Sequence, residues 1–242
     1  MLRLAKIGLI AALMTVYGSA GFAQKKEKVD LLLVLAADVS RSVDEKEFML
    51  QRKGYADAIT NPRVLAAISS GKYGRIAVTY MEWSSHDLQT VIVDWTVLHD
   101  QASANRIAEA LIESPRPHYG TTGIGTAIRK AVAHTEQAPF DAERRTIDIS
   151  GDGTSNVGVV ASVARDEAVY NGYTINALVI LSATPIPWNP DHTHPPGGLV
   201  KYFEHNVVGG SGSFVMAANG FQSFADAILK KMIAEIALLD TP

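Results

Sequence analysis

Val29 to Ala37 is apolar at every position but Asp30. A strand with one wet face would alternate, so this run reads as a β-strand buried on both sides. Arg75 to Trp83 ("RIAVTYMEW"), Thr146 to Ser150 ("TIDIS") and Thr174 to Leu181 ("TINALVIL") have the same character. Gln89 to Leu98 ("QTVIVDWTVL") alternates in part and is rich in β-formers, which suits an edge strand reached by a short connection. A further strand is expected near Ser213 to Ala217. Between these runs the period changes to that of a helix. Asp44 and Glu47 have the spacing of a capping box, and Phe48, Tyr55 and Ile59 follow at helical intervals. Asp100 to Glu113 carries Ala104, Ile107, Ala108, Leu111 and Ile112 on one face. Helices are also expected over Ile124 to Glu136, Val157 to Tyr170, Leu199 to Asn206 and Phe221 to Leu238. Strands and helices alternate and the strands are apolar throughout. The expected fold is therefore α/β, a three-layer α-β-α arrangement around an open, mostly parallel sheet with one antiparallel edge strand.

The first residues stand outside that pattern. Arg3 and Lys6 precede an apolar stretch from Ile7 to Val16, and Gly21 and Ala23 follow at a spacing that a signal peptidase accepts. Residues 1–23 read as a cleaved secretory signal, too short for a membrane span, and 24–242 as a single domain. The expected location is periplasmic or secreted, with no stable membrane span after cleavage. Loss of Arg3 and Lys6, two positive charges, takes the formal charge from −3 to −5. A mildly acidic chain without a basic block argues against nucleic acid as a partner. There is no cysteine, so packing alone must hold a domain of this size together.

In an open parallel sheet, ligands bind where the strands end at their C-terminal edge. Three polar loops are expected there: Asp38 to Ser42, Gly120 to Gly123 and Gly151 to Gly153. They offer Asp38, Ser40, Ser42, Thr121, Thr122 and Asp152, all oxygen donors. Two carboxylates with several hydroxyls suit a hard cation, Mg²⁺ or Mn²⁺ before Zn²⁺. In Asp38-x-Ser40-x-Ser42 the alternate spacing lets an extended segment turn all three side chains to one side. Asp38 or Ser40 could instead cap the next helix, but Asp44 already stands closer to it. The segment Gly120 to Thr126 lacks the lysine of a P-loop, and Gly151 to Asn156 lacks the third glycine of a dinucleotide fingerprint. No Gly-x-Ser-x-Gly elbow occurs, so no catalytic constellation is evident. His192 and His194 could share a metal, but two ligands are too few for a zinc site and proline-rich surface loops often carry histidines. The long loop Ser182 to Gly198 places Trp188 as a candidate partner contact.

Asp38-x-Ser40-x-Ser42 after a buried strand, a threonine in a Gly-Thr loop, and Asp152-Gly153 after a later strand together resemble a von Willebrand factor A domain. The three segments are similar to that family's metal-ion-dependent adhesion site. The resemblance runs from about Val29 to the last helix, and the exported bacterial members are the nearest in style. It implies a metal set of Asp38, Ser40, Ser42, Thr122 and Asp152, with serines and threonine reaching the metal directly and aspartates able to act through water. Gly125-Thr126-Ala127-Ile128 fits the helix opening that follows the family's threonine, which selects Thr122 over Thr121, although Thr121 replaces the usual preceding glycine. The implied role is non-enzymatic: the cation, Mg²⁺ or Mn²⁺, would capture an Asp or Glu carboxylate on a partner protein. A metal-assisted hydrolase and a scaffold without metal function are the alternatives.

Overall fold

The computed structural model describes residues 26–237, so the expected signal segment 1–23 lies outside the described residues. In chain order the elements are β1 (Glu27–Lys28), β2 (Leu32–Asp38), α1 (Glu45–Ile59), α2 (Pro62–Ser69), β3 (Ile76–Trp83), β4 (Gln89–Leu98), α3 (Gln101–Glu113) and α4 (Ile124–Glu136). They continue with β5 (Phe140–Asp141), β6 (Arg145–Gly151), α5 (Ala161–Tyr170), β7 (Thr174–Leu181), α6 (Pro190–Thr193), α7 (Leu199–Asn206), β8 (Val215–Asn219) and α8 (Phe224–Ala237). Six strands form the main sheet in the order β4-β3-β2-β6-β7-β8. Only β4 runs antiparallel to its neighbour. This is the expected sheet, with its antiparallel strand at the expected edge.

β2 shows why the sheet needs two helical layers. Leu33, Leu35 and Ala37 point into one core, shared with α1, α2, α3 and α8. Val34 and Ala36 point into the other, shared with α4, α5 and α7. Neither face meets water, which is what the unbroken apolar run required. Asp38 at the end of β2 lies opposite Trp83 of β3, and Ala37 lies opposite Ser150 of β6. The C-terminal ends of the central strands are therefore level, and the polar loops that follow them emerge together. Among the described residues no helix is long and apolar enough to cross a membrane.

Several elements differ from expectation. α2 is an additional helix, started by an Asn61 cap and by Pro62, whose missing N–H costs nothing in the first turn. β1 and β5 make a separate two-stranded parallel sheet too short to show a period. α5 starts at Ala161 rather than Val157, and the last strand lies two residues later than expected. The loop after β7 holds the short helix α6.

Candidate metal centre

Asp38 is the last residue of β2 and is fully buried. Its Oδ1 accepts from Ser40 N at 2.7 Å, which turns the chain sharply out of the strand. Ser40 Oγ and Ser42 Oγ then lie 3.2 Å apart, and Ser42 Oγ donates to Asp152 Oδ1 at 2.7 Å. Asp38, Ser40, Ser42 and Asp152 thus form one hydrogen-bonded chain drawn from two loops, joined at its first link through the Ser40 backbone N–H and at the others through side-chain oxygens. Asp44 caps α1 through the reciprocal box with Glu47, so Asp38 is not occupied in capping.

The first loop is fixed through its backbone. Gln51 Nε2 donates to Asp38 O at 3.0 Å, and Arg41 N donates to Gly120 O at 2.8 Å. Arg116 contributes most, its Nη2 donating to Val39 O at 2.8 Å, Ser40 O at 3.2 Å and Val43 O at 2.9 Å. Its guanidinium stacks between the rings of Phe48 and Tyr119, 4.9 and 3.8 Å from their centroids. Arg116 escaped the sequence reading because its partners are carbonyls, which every residue has.

The second and third loops lock to each other. Thr122 N donates to Asn156 Oδ1 at 2.9 Å, and Asn156 N donates back to Thr122 O at 2.8 Å. Thr122 is buried and lines a pocket of about 180 Å³ with Ser42, but its hydroxyl has no hydrogen bond to the Asp38–Asp152 chain. Thr121 is exposed and its hydroxyl lies 3.0 Å from Ser85 Oγ. The pocket's outer wall comes from the long loop, through Ile186, Trp188, Asn189 and His192. Trp188 is 71% exposed there. The two histidines do not share a role: His194 is exposed, whereas His192 is buried with Nε2 3.4 Å from Thr122 Oγ1. Sequence reading took them together as a surface pair. Nothing local distinguishes them.

The electrostatics of the set are unfavourable as it stands. Burial, and then the neighbouring Asp152 charge, hold the Asp38 carboxyl well above the usual range. Burial pushes Asp152 up to about 6 against the bond from Ser42, and Glu47 adds to the shift. Burial also pushes the His192 imidazole down. Asp38 Oδ2 is buried and has no hydrogen-bond partner. A buried anionic oxygen without a donor is costly. Two desolvated carboxylates, one with an orphaned oxygen, and the hydroxyls of Ser40 and Ser42 beside them are oxygen donors of the kind a hard divalent cation takes.

The chain belongs to the family described as "Protein of unknown function (DUF1194)", which it matches over residues 28–240. No curated protein matches the sequence. Among solved structures it is similar to proximal thread matrix protein 1 of the mussel byssus, in a form described with a zinc-occupied MIDAS motif. The TM-score there is 0.56 at 15% identity, over 86% of this chain and 48% of that one. The pilus adhesin SpaC from Lactobacillus rhamnosus GG gives 0.60 at 16% identity, over 88% and 30%. Von Willebrand factor type A from Catenulispora acidiphila gives 0.57 at 14% identity, over 87% and 43%. The chain spans less than half the length of each of these proteins. Likeness at this identity establishes the fold, which is of the von Willebrand factor A type.

Proposed function

We propose that this chain is an exported binding protein, processed after residue 23 and folded as one domain over 24–242. Asp38, Ser40, Ser42, Thr122 and Asp152 hold Mg²⁺ or Mn²⁺, through which a carboxylate of a partner protein is captured. The observation that carries the reading is the hydrogen-bonded chain Asp38–Ser40–Ser42–Asp152, buried but for the half-buried Ser42, with its orphaned Asp38 Oδ2. A dication bound there supplies positive charge and an open coordination position that an acidic oxygen can fill. The protein's own contribution is preorganisation. Arg116 and Gln51 fix the first loop, the Thr122–Asn156 exchange fixes the second against the third, and burial removes competing water. With only two carboxylates, the hydroxyls leave a bound dication's charge largely available to the incoming ligand. That proteins of this fold include a pilus adhesin and a byssal matrix protein supports an adhesive or assembly role in the periplasm or outside the cell.

Calorimetric titration of Mg²⁺ and Mn²⁺ into the processed protein and into Asp152→Ala tests the site. Saturable binding in the first and none in the second is expected; no binding by the wild type up to millimolar ion overturns the reading. Capture of an envelope protein that a chelator abolishes tests the partner role. Cation-dependent turnover in a hydrolase screen would replace it with an enzymatic one.

A further inference from the structure

The pocket lined by Ser42 and Thr122 has a size and a charge that bear on what enters it. Its volume, about 180 Å³, lies below the roughly 300 Å³ at which pockets begin to hold a free small molecule, and suits one inserted side chain. None of its lining residues is a carboxylate, and Arg41 brings a guanidinium to it. Arg41 is exposed, and its backbone N–H is spent on Gly120 O. Among the described residues its side chain makes no hydrogen bond or ion pair, whereas the Nη2 of Arg116 is given to three carbonyls of the same loop. The outer wall sets the exposed indole of Trp188 beside Ile186. Tryptophan and arginine are the residues that most often carry binding energy at interfaces. The wall is also held in place. Asn189 N donates to Ile186 O at 3.3 Å, His192 N to Asn189 O at 3.1 Å and Thr154 N to His192 O at 2.9 Å, which ties the loop to the turn after Asp152. The His192 ring fills the space beside Gly153, where a Cβ would stand 2.1 Å from Nε2. Little ordering is left for a partner to supply.

We propose that this pocket is a socket for a single acidic side chain of a partner protein, with Arg41 pairing with its carboxylate and Trp188 and Ile186 covering its stem and an apolar residue beside it. This rests on the reading above for the acidity of the partner and deepens it. A cation alone would take any carboxylate, whereas the socket requires a protruding Glu or Asp with an apolar neighbour. Asp152, bonded to the lining Ser42, repels a carboxylate unless a cation neutralises it, so Arg41 and the cation act in the same direction.

The probes are two short peptides, acetyl-Gly-Glu-Leu-Gly-amide and acetyl-Gly-Gln-Leu-Gly-amide. Each is titrated into the processed protein, Arg41→Gln and Trp188→Ala, with Mg²⁺ and with chelator. Binding is followed by the side-chain N–H resonances of Arg41 and Trp188, and the Mg²⁺ affinity of each chain is measured calorimetrically. With Mg²⁺ the wild type is expected to bind the Glu peptide saturably, roughly tenfold more tightly than the Gln peptide, and to shift both resonances. Arg41→Gln and Trp188→Ala should each weaken the Glu peptide roughly tenfold. Neither should weaken Mg²⁺ binding, because neither side chain is a proposed ligand and the loss of Arg41 removes a like charge. Equal binding of the two peptides, Glu-peptide binding that neither substitution weakens, or no saturable peptide binding by the Mg²⁺-loaded wild type overturns the socket, while the ion titration still judges the metal reading by itself. No saturable Mg²⁺ binding, with Glu-peptide binding that Arg41→Gln still weakens, overturns the metal reading and leaves the socket. Both side chains are exposed, and the wild-type resonances decide the matter even if a variant fails to fold.

Discussion

Asp152→Asn should make the metal-free protein more stable and the metal-loaded protein less stable. The side chain is buried, and its Oδ1 accepts from Ser42, a bond that the amide oxygen of asparagine preserves. What changes is the charge. Burial lifts the Asp152 carboxyl from 3.8 to about 6. At pH 7.5 the wild type holds it ionised at a cost of about 3 kcal/mol, at 1.36 kcal/mol per unit. Weakening the Ser42 bond from charge-assisted to neutral returns roughly 1 kcal/mol of that. The variant should then be more stable in chelator by about 2 kcal/mol, or about 4–8 °C in melting temperature for a chain of this size. A cation at a hundred times its dissociation constant adds about 2.7 kcal/mol to the wild type and little to the variant, so the order of melting temperatures reverses. The sign with pH follows from the raised value. Below about pH 4 the carboxyl is protonated in both folded and unfolded chains and the penalty is absent. It develops as pH rises through about 6. The melting curves in chelator should therefore converge at pH 4. A variant that melts below the wild type in chelator at pH 7.5, or a wild type that no divalent ion stabilises, refutes the reasoning.

Arg116→Lys should cost about 1–3 kcal/mol in a urea titration and weaken cation binding about tenfold, because an ammonium cannot keep the stacking on Phe48 and Tyr119 while serving the three carbonyls that Nη2 reaches. Unchanged cation affinity would show that the first loop holds its shape without it. Gly153→Ala should expel the His192 ring; faster proteolysis within residues 182–198 and an altered Trp188 emission would report it, and an unchanged digest would refute it. On the other side of the sheet, burial and then Glu235 lift the Asp148 carboxyl to about 7 against the Lys231 ammonium 2.6 Å away. Its contribution to stability is full below about pH 4 and is lost as pH rises through about 7. Asp148→Asn should flatten that fall in the urea midpoint between pH 4 and 7, and an unaltered slope would remove Asp148 as its cause.

The sheet was legible because burial on both faces writes a continuous apolar run, and α1 because the Asp44–Glu47 box is local. The oxygen set was legible for the same reason, since Asp38, Ser40 and Ser42 are neighbours in one loop and Asp152 follows a strand. α2 had a readable start in Asn61-Pro62, but its eight residues make barely two turns, too few for a period to stand out. β1 and β5, at two residues each, carry no pattern at all. The buried charges were harder. Glu82 sits inside the strand "RIAVTYMEW" and is neutralised by Arg52 from α1, thirty positions earlier in the chain. Lys231 of α8 meets Asp148 of β6 in the same way, across a large separation in sequence.

That contrast extends to the site and decides what each kind of residue can specify. Donors that are local in sequence, Asp38, Ser40 and Ser42, carry the proposal of a hard cation, and many chains could share them. The groups that brace and wall the pocket arrive from far away: Arg116 from the loop before Thr122, and Ile186, Trp188 and His192 from the loop after β7. Their attachment is through backbone carbonyls and a glycine whose side of the contact has no side chain to read. Gly153 shows the point in one residue. In the sequence it is half of an Asp-Gly turn and needs no further reason to be there. In the fold its missing Cβ is the space that His192 occupies, so a glycine that reads as turn chemistry is also what admits an imidazole to the edge of an oxygen site.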